Sequence, residues 1–317
     1  MWCSSFLIIL GFILLAYGGN CVCSGASALA FRLGVSQLVI GMTIVAISTS
    51  SPEFITSLMA ALNQHPEIVI GNIVGSNLVN IGLAGGFVAL VKPFTITTRI
   101  TEQELPFLLL VTCIFSLCSI VMDFGSILGM AFIVLDISYM YFICKNEEDP
   151  QTNRSKKALS VPLKINFWKA LGLFFLGIFL LFLGARLVIN HSVKIAHVLG
   201  WSDTLIGFTI VAIGTSSPEI MVSLVAALRG YGAICTGNII GSNIFNTLMI
   251  VGVCALVCPL PVNGYLCYCT IPLLIFLTAL MWLFFTTKRE INRLEGLMLF
   301  GGFILIFSIS VYMQMIA

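Results

Sequence analysis

Long apolar stretches separated by short polar breaks run the length of this chain. Runs near 5–31, 40–62, 67–91, 104–121 and 126–144 predict five helical spans, and runs near 166–190, 205–228, 233–257, 266–287 and 296–315 predict five more. About 20 apolar residues carry a helix across the hydrocarbon core, so each run is of spanning length or close to it. The one sizeable polar stretch, 145–165, predicts a linker between a first five-helix unit over 1–144 and a second over 166–317. The expected fold is therefore an all-α multi-pass membrane protein with ten transmembrane helices. The first 20 residues have neither the basic start nor the small-residue cleavage site of a signal peptide, so Phe6 onward reads as a retained first span.

Composition agrees with this pattern. Of 317 residues 59% are hydrophobic and 9% charged, with mean hydropathy +1.09, whereas soluble domains carry about 25% charged residues. A soluble fold could not cover so much apolar surface, and nucleic-acid binding is argued against on the same ground. With the N-terminus outside, Arg32, Lys92, Arg99, Lys145, Arg154, Lys156, Lys157, Lys164, Lys169, Arg229, Lys288, Arg289 and Arg293 fall on the cytoplasmic side and only Arg186 and Lys194 outside. That asymmetry satisfies the positive-inside rule and puts both termini outside. The 11 cysteines are scattered through apolar runs without a Cys-x-x-Cys spacing and read as small buried hydrophobes.

The two units repeat each other. Residues 41–90 and 207–256 align without a gap at an offset of 166, with 27 identities in 50 positions. Five spans is an odd number, so the second unit must enter from the opposite side, which makes the repeats inverted about an axis in the membrane plane. The first shared block is Gly41-Met-Thr-Ile-Val-Ala-Ile-Ser-Thr-Ser-Ser-Pro-Glu53 against Gly207-Phe-Thr-Ile-Val-Ala-Ile-Gly-Thr-Ser-Ser-Pro-Glu219. The second is Gly71-Asn-Ile-Val-Gly-Ser-Asn-Leu-Val-Asn80 against Gly237-Asn-Ile-Ile-Gly-Ser-Asn-Ile-Phe-Asn246.

These blocks carry the candidate chemistry. Glu53 and Glu219 lie inside apolar helices, where a carboxylate costs several kcal/mol unless compensated. Pro52 and Pro218 precede them, lack an N–H and loosen the turn, exposing oxygen ligands at membrane depth. Thr49, Ser50 and Ser51, and Thr215, Ser216 and Ser217, crowd the same turns with hydroxyls. Ser76 and Asn80, like Ser242 and Asn246, are four apart and share a helix face. Two ionised glutamates would be balanced by one Ca²⁺ or two Na⁺, with neutral oxygens completing the 6–8 ligands that Ca²⁺ favours. Competition between the two ions for one site then couples their movement, because the emptied site would hold two unpaired carboxylates in low dielectric.

Other intramembrane acids read differently. Asp136 pairs at the repeat offset with Gly302, so it has no acidic counterpart and is expected to meet a local hydroxyl or stay neutral. Glu102 and Glu104 fall near a helix start, where the dipole favours acids, and are expected at the interface.

At this point the two blocks resemble the α-repeats of the sodium/calcium exchanger family, within the cation/calcium antiporter superfamily. The motif match covers about a third of the chain, and the five-plus-five layout extends it to nearly all. The resemblance implies an antiporter of the cell (inner) membrane, functional as a monomer in the bilayer, exchanging three Na⁺ for one Ca²⁺ by alternating access. The first and sixth helices would slide over the rest. It implies transported Na⁺ and Ca²⁺ and no organic cofactor, with ligands from Glu53, Glu219, Thr49, Ser50, Thr215, Ser216 and the carbonyls of Ala46 and Ala212. Ser76, Ser242, Asn80 and Asn246 would complete the set. Asn246 stands where many members carry aspartate, and Ser48 replaces the usual glycine of the first block. The linker is too short for a large regulatory Ca²⁺-binding domain.

A Ca²⁺/H⁺ antiporter is the alternative within this class, since buried glutamates exchange protons too, although the hydroxyl-rich turns favour Na⁺. A passive channel would gather its selectivity residues around an oligomeric axis, whereas both halves of this site lie in one chain. No nucleophile–base pair or cofactor loop points to an enzyme.

Overall fold

The computed structural model describes residues 2–121, 123–145, 166–200, 210–262 and 266–316. The predicted linker over 146–165, with Arg154, Lys156, Lys157 and Lys164, and the start of the second repeat at 207–209 lie outside the described residues. The helices are α1 (Trp2–Leu33), α2 (Gln37–Thr49), α3 (Ser51–Leu62), α4 (Pro66–Val91), α5 (Ile100–Val121) and α6 (Ser126–Lys145), followed by α7 (Phe167–Val198), α8 (Ala212–Thr215), α9 (Ser217–Leu228), α10 (Gly232–Val257), α11 (Tyr268–Thr287) and α12 (Arg293–Ile316). Eight of these are long and apolar enough to cross a membrane, and α2 with α3, bent by 46° at one break, makes up to nine. The predicted run 40–62 is thus one broken span. The fold is nearly all helical; two short β pairings tie loops together.

Depth in the bundle separates the helices into two groups. In α4 and α10, 83% of the spanning window is buried, against 28% in α6 and α7. The two helices carrying the second motif therefore form the centre, and the lipid-facing helices surround them. A hydrophobic core cannot distinguish inside from lipid by polarity, so close packing must rely on small residues. Along α1 and α7 glycines supply it. A Cβ on Gly11 would meet the Gly184 carbonyl at 2.9 Å, and one on Gly18 the Gly177 carbonyl, also at 2.9 Å. As residue number rises on α1 it falls on α7, so these 32-residue helices run antiparallel.

At one end of α5, Phe94 and Thr95 pair antiparallel with Ile291 and Glu290, and beyond its other end Phe124 bridges Leu260. Cys21, Cys23, Cys235, Cys254 and Cys258 are buried free thiols as expected, whereas Cys113 and Cys144 are exposed and Cys118 and Cys269 half-buried.

Candidate functional site: a carboxylate pair bridging the two motifs

The break between α2 and α3 falls at Ser50, whose ψ of 7° leaves the helical region, and the break between α8 and α9 falls at Ser216, with ψ 5°. Pro52 and Pro218 sit in the first turn of α3 and α9, where a missing N–H costs nothing and the fixed φ suits a helix start. Each proline thus starts a new helix directly after the break. The next residue in each, Glu53 or Glu219, is in the first turn, where the helix dipole favours an acid. Both glutamates are fully buried.

Each carboxylate is held by a hydroxyl from the other motif. Ser216 donates to Glu53 Oε1 at 2.9 Å, and Ser50 donates to Glu219 Oε1 at 2.9 Å. Ser76 reaches Glu53 Oε1 at 3.4 Å. Thr49 donates to Asn238 Oδ1 at 3.0 Å, also across the motifs, and its hydroxyl lies 3.2 Å from the Ala46 carbonyl. Thr215 donates to the Ala212 carbonyl at 3.1 Å. The sequence-predicted residues Glu53, Glu219, Thr49, Ser50, Ser216, Ala46 and Ser76 therefore meet around one centre, with Thr215 and Ala212 on the turn leading into Ser216.

What remains unsatisfied there is informative, because buried polar atoms are rarely left without partners. Glu53 Oε2, Glu219 Oε2, the amide oxygen and nitrogen of Asn80, Ser242 Oγ and Asn246 Oδ1 are buried with no hydrogen-bond partner among the described residues. All belong to residues the two motifs supply. Oxygen dominates this set, as hard cations require. Among the described residues no group of three or more His, Cys, Asp or Glu side chains could hold a metal ion, so a cation here would take two carboxylates and neutral oxygens. A wide π-type turn begins at Asn80 (Asn80–Phe87) and another at Asn246 (Asn246–Ile250); such turns free carbonyls from the regular ladder and recur at functional sites.

Several residues that were not singled out from the sequence hold this arrangement. Asn72 donates to the Glu53 carbonyl at 3.2 Å and to Ser57 at 2.9 Å, and Asn238 donates to the Glu219 carbonyl at 3.2 Å and to Ser223 at 3.0 Å. Both pairs are identical at the repeat offset, and Asn72, Ser76 and Asn80 recur every four residues, which was the available signal.

The two motifs are not packed alike. A Cβ on Gly241 would stand 2.9 Å from that of Ala46, while one on Gly75 would stand 3.9 Å from that of Ala212. Ala46 is fully buried and Ala212 only half-buried.

Of the other acids, Asp136 is buried in α6 with Oδ1 unpartnered. Glu104, in the opening turns of α5, is buried rather than solvated. It is 1% exposed, accepts from Arg99 Nε at 2.7 Å and from the Tyr139 hydroxyl, so an internal cation and a hydroxyl compensate its charge. Glu102 is exposed, 3.8 Å from Arg289.

Broken apolar helices meeting at a buried, oxygen-lined carboxylate pair define a membrane transport protein for hard cations. The sodium/calcium exchanger protein model matches residues 4–145 and 169–312, and the chain belongs to that family of membrane exchangers. It is 35% identical to the putative antiporter CaxA of Alkalimonas amylolytica, over 96% of this chain and 97% of that one. It is 31% identical to the sodium/calcium exchanger MaX1 of Methanosarcina acetivorans, over 92% and 94%. Its fold matches the sodium-calcium exchanger NCX_Mj, solved from crystals soaked with Na⁺ and Ca²⁺, with TM-score 0.83 and 33% identity, over 96% of this chain and 98% of that one.

Proposed function

We propose that this protein exchanges Na⁺ for Ca²⁺ across the membrane by alternating access, with both ions competing for the site around Glu53 and Glu219. The observation that carries this reading is the pair of reciprocal hydrogen bonds, Ser216 to Glu53 and Ser50 to Glu219, beside carboxylate oxygens left without partners. One Ca²⁺ or two Na⁺ neutralise the two charges, and a third Na⁺, giving three Na⁺ per Ca²⁺, would use the remaining hydroxyl, amide and carbonyl oxygens. Thr49, Thr215, Ala46, Ala212, Ser76, Ser242, Asn80 and Asn246 complete the ligand set in this proposal.

The same reading takes the chain as ten spans in two inverted five-helix units, 1–144 and 166–317. Antiparallel α1 and α7 support it, and so do their contacts: Gly11 meets Gly184 and Gly18 meets Gly177, and each of these pairs becomes the other under the offset of 166. Lysine and arginine placement supports both termini outside, in a cell (inner) membrane. In that orientation the looser contact between Gly75 and Ala212 lies toward the outside, which favours entry of ions from that face. A single chain supplies every proposed ligand, so the monomer is the transport unit.

Na⁺-gradient-driven ⁴⁵Ca²⁺ uptake into proteoliposomes tests the proposal. Wild type takes up Ca²⁺ under a Na⁺ gradient, while Glu53→Gln and Glu219→Gln do not; retained exchange in both variants removes the site. A pH gradient applied without Na⁺ separates this reading from Ca²⁺/H⁺ exchange.

A further inference from the structure

We infer that Thr247 and Asn77 set which end of the Asn246 amide faces the cation, making them positioning residues for that ligand. This rests on Asn246 being a ligand, as proposed above. An amide carries an acceptor oxygen at one end and two N–H donors at the other, so it serves a cation in only one of its two settings.

Donor counting decides the setting. The Thr247 hydroxyl has one proton and donates it to the Asn243 carbonyl at 2.8 Å. Toward Asn77, 2.8 Å away, it can therefore only accept, and Asn77 must turn its NH₂ to Thr247. The Asn77 oxygen then faces Asn246, which answers with its own NH₂ at 3.2 Å. Asn246 Oδ1 is what remains, fully buried and without a partner among the described residues. It lies on the same α10 face as Ser242, one turn back, whose hydroxyl is also unpartnered, and Asn238, two turns back, which binds the Glu219 carbonyl. Turning the Asn246 amide over would set its oxygen against that of Asn77 and its NH₂ against the ion.

The first half lacks this relay. The position equivalent to Thr247 is Ile81, which has no hydroxyl. Asn243, equivalent to Asn77, donates instead to the Ile239 carbonyl of its own helix at 2.7 Å. Asn80, equivalent to Asn246, has neither amide atom engaged. One amide of the pair is thus set as an acceptor, while no hydrogen bond among the described residues sets the other.

The test compares Thr247→Val with Thr247→Ser in two backgrounds, wild type and Asn246→Asp, reading equilibrium ⁴⁵Ca²⁺ affinity in detergent and KM against kcat in proteoliposomes. A carboxylate is an acceptor at both ends, so it needs no setting. Thr247→Val should weaken Ca²⁺ binding about tenfold in the wild-type background, the scale of one lost hydrogen bond, and raise KM more than it lowers kcat. Thr247→Ser should behave as wild type, and in the Asn246→Asp background Thr247→Val should not weaken binding and should if anything strengthen it, because Asn77, freed from Thr247, can turn its NH₂ to the carboxylate instead of opposing it with its oxygen. Equal loss in both backgrounds would mean that Thr247 only joins α4 to α10 and would overturn the inference, as would wild-type affinity in Thr247→Val. An Asn246→Asp protein that no longer binds Ca²⁺ would overturn it as well. Glu53→Gln and Glu219→Gln serve as the reference: if they retain exchange, the site itself is wrong, whereas their loss beside a silent Thr247→Val removes the relay alone.

Discussion

Ser50 and Glu219 are 169 positions apart in the chain, yet the serine hydroxyl donates to the carboxylate at 2.9 Å inside the bundle. Ser216 and Glu53 repeat the relationship at 2.9 Å in the opposite sense. Donating its proton leaves each serine oxygen with lone pairs, so in the proposed site one group both orients the acid and serves as a ligand. Ser50→Ala and Ser216→Ala should each slow Na⁺-driven Ca²⁺ uptake by roughly ten- to a hundredfold, the range for a hydrogen bond to a charged acceptor. The double variant should fall short of the product, because both bonds belong to one network. Uptake rates measured across this cycle check it; full additivity would separate the two serines.

Much of this arrangement was legible in the sequence because the chain states it twice. A carboxylate after proline at equivalent turns cannot be a packing accident, and the apolar runs located most of the described helices to within a few residues, although α7 runs on to Val198, eight residues past the predicted run. Asn72 and Ser57 were equally legible at the offset but read as background beside the acids. Thr247 was not, since Ile81 stands at its equivalent place and repetition signals only what both halves share. The buried partners of Glu104 were not legible for another reason. Its position near a helix start fits an interfacial acid, and only the tertiary structure brings Arg99 and Tyr139 against it.

The seam between α1 and α7 depends on missing side chains. A Cβ on Gly177 would meet the Val22 nitrogen at 2.6 Å and the Gly18 carbonyl at 2.7 Å, both backbone atoms that cannot swing away. Gly172, on the same helix, has nothing within 4 Å. Gly177→Ala should therefore lower stability by about 1–3 kcal/mol, the usual cost of overpacking, while Gly172→Ala should leave it unchanged. Thermal unfolding in detergent distinguishes them; equal melting points would show that the seam tolerates separation.

Asp136 is as buried as the paired glutamates but stands alone on α6, with no acidic equivalent in the second half. If burial of an acid were enough to make a transport ligand, Asp136→Asn would abolish exchange as Glu53→Gln does. Retained exchange with unchanged Na⁺ and Ca²⁺ dependence is expected, because the reading requires convergence of both motifs and not burial alone.

Three buried glutamates are compensated in two different ways, and stability should report the difference. Glu104 has its cation built in, at 2.7 Å, with the Arg99 side chain itself only 12% exposed. Removing one partner of a buried ion pair strands the other, so Arg99→Ala should cost about 3–5 kcal/mol whatever ions are present. Glu53 and Glu219 have serine hydroxyls but no basic side chain in an ion pair among the described residues. Under the proposed function their counter-charge comes from the transported ions. Ca²⁺ or Na⁺ should accordingly stabilise wild type in proportion to the logarithm of concentration above Kd, by about 2.7 kcal/mol at a hundredfold excess, and raise its melting point with it. Arg99→Ala should melt lower but keep that ion-dependent rise, since its defect lies away from the site. Glu53→Gln and Glu219→Gln should lose the rise, and their ion-free melting points should match or exceed that of wild type, because a neutral amide replaces a charge that had no partner. A melting point in either variant that still climbs with Ca²⁺ would place the bound ion elsewhere.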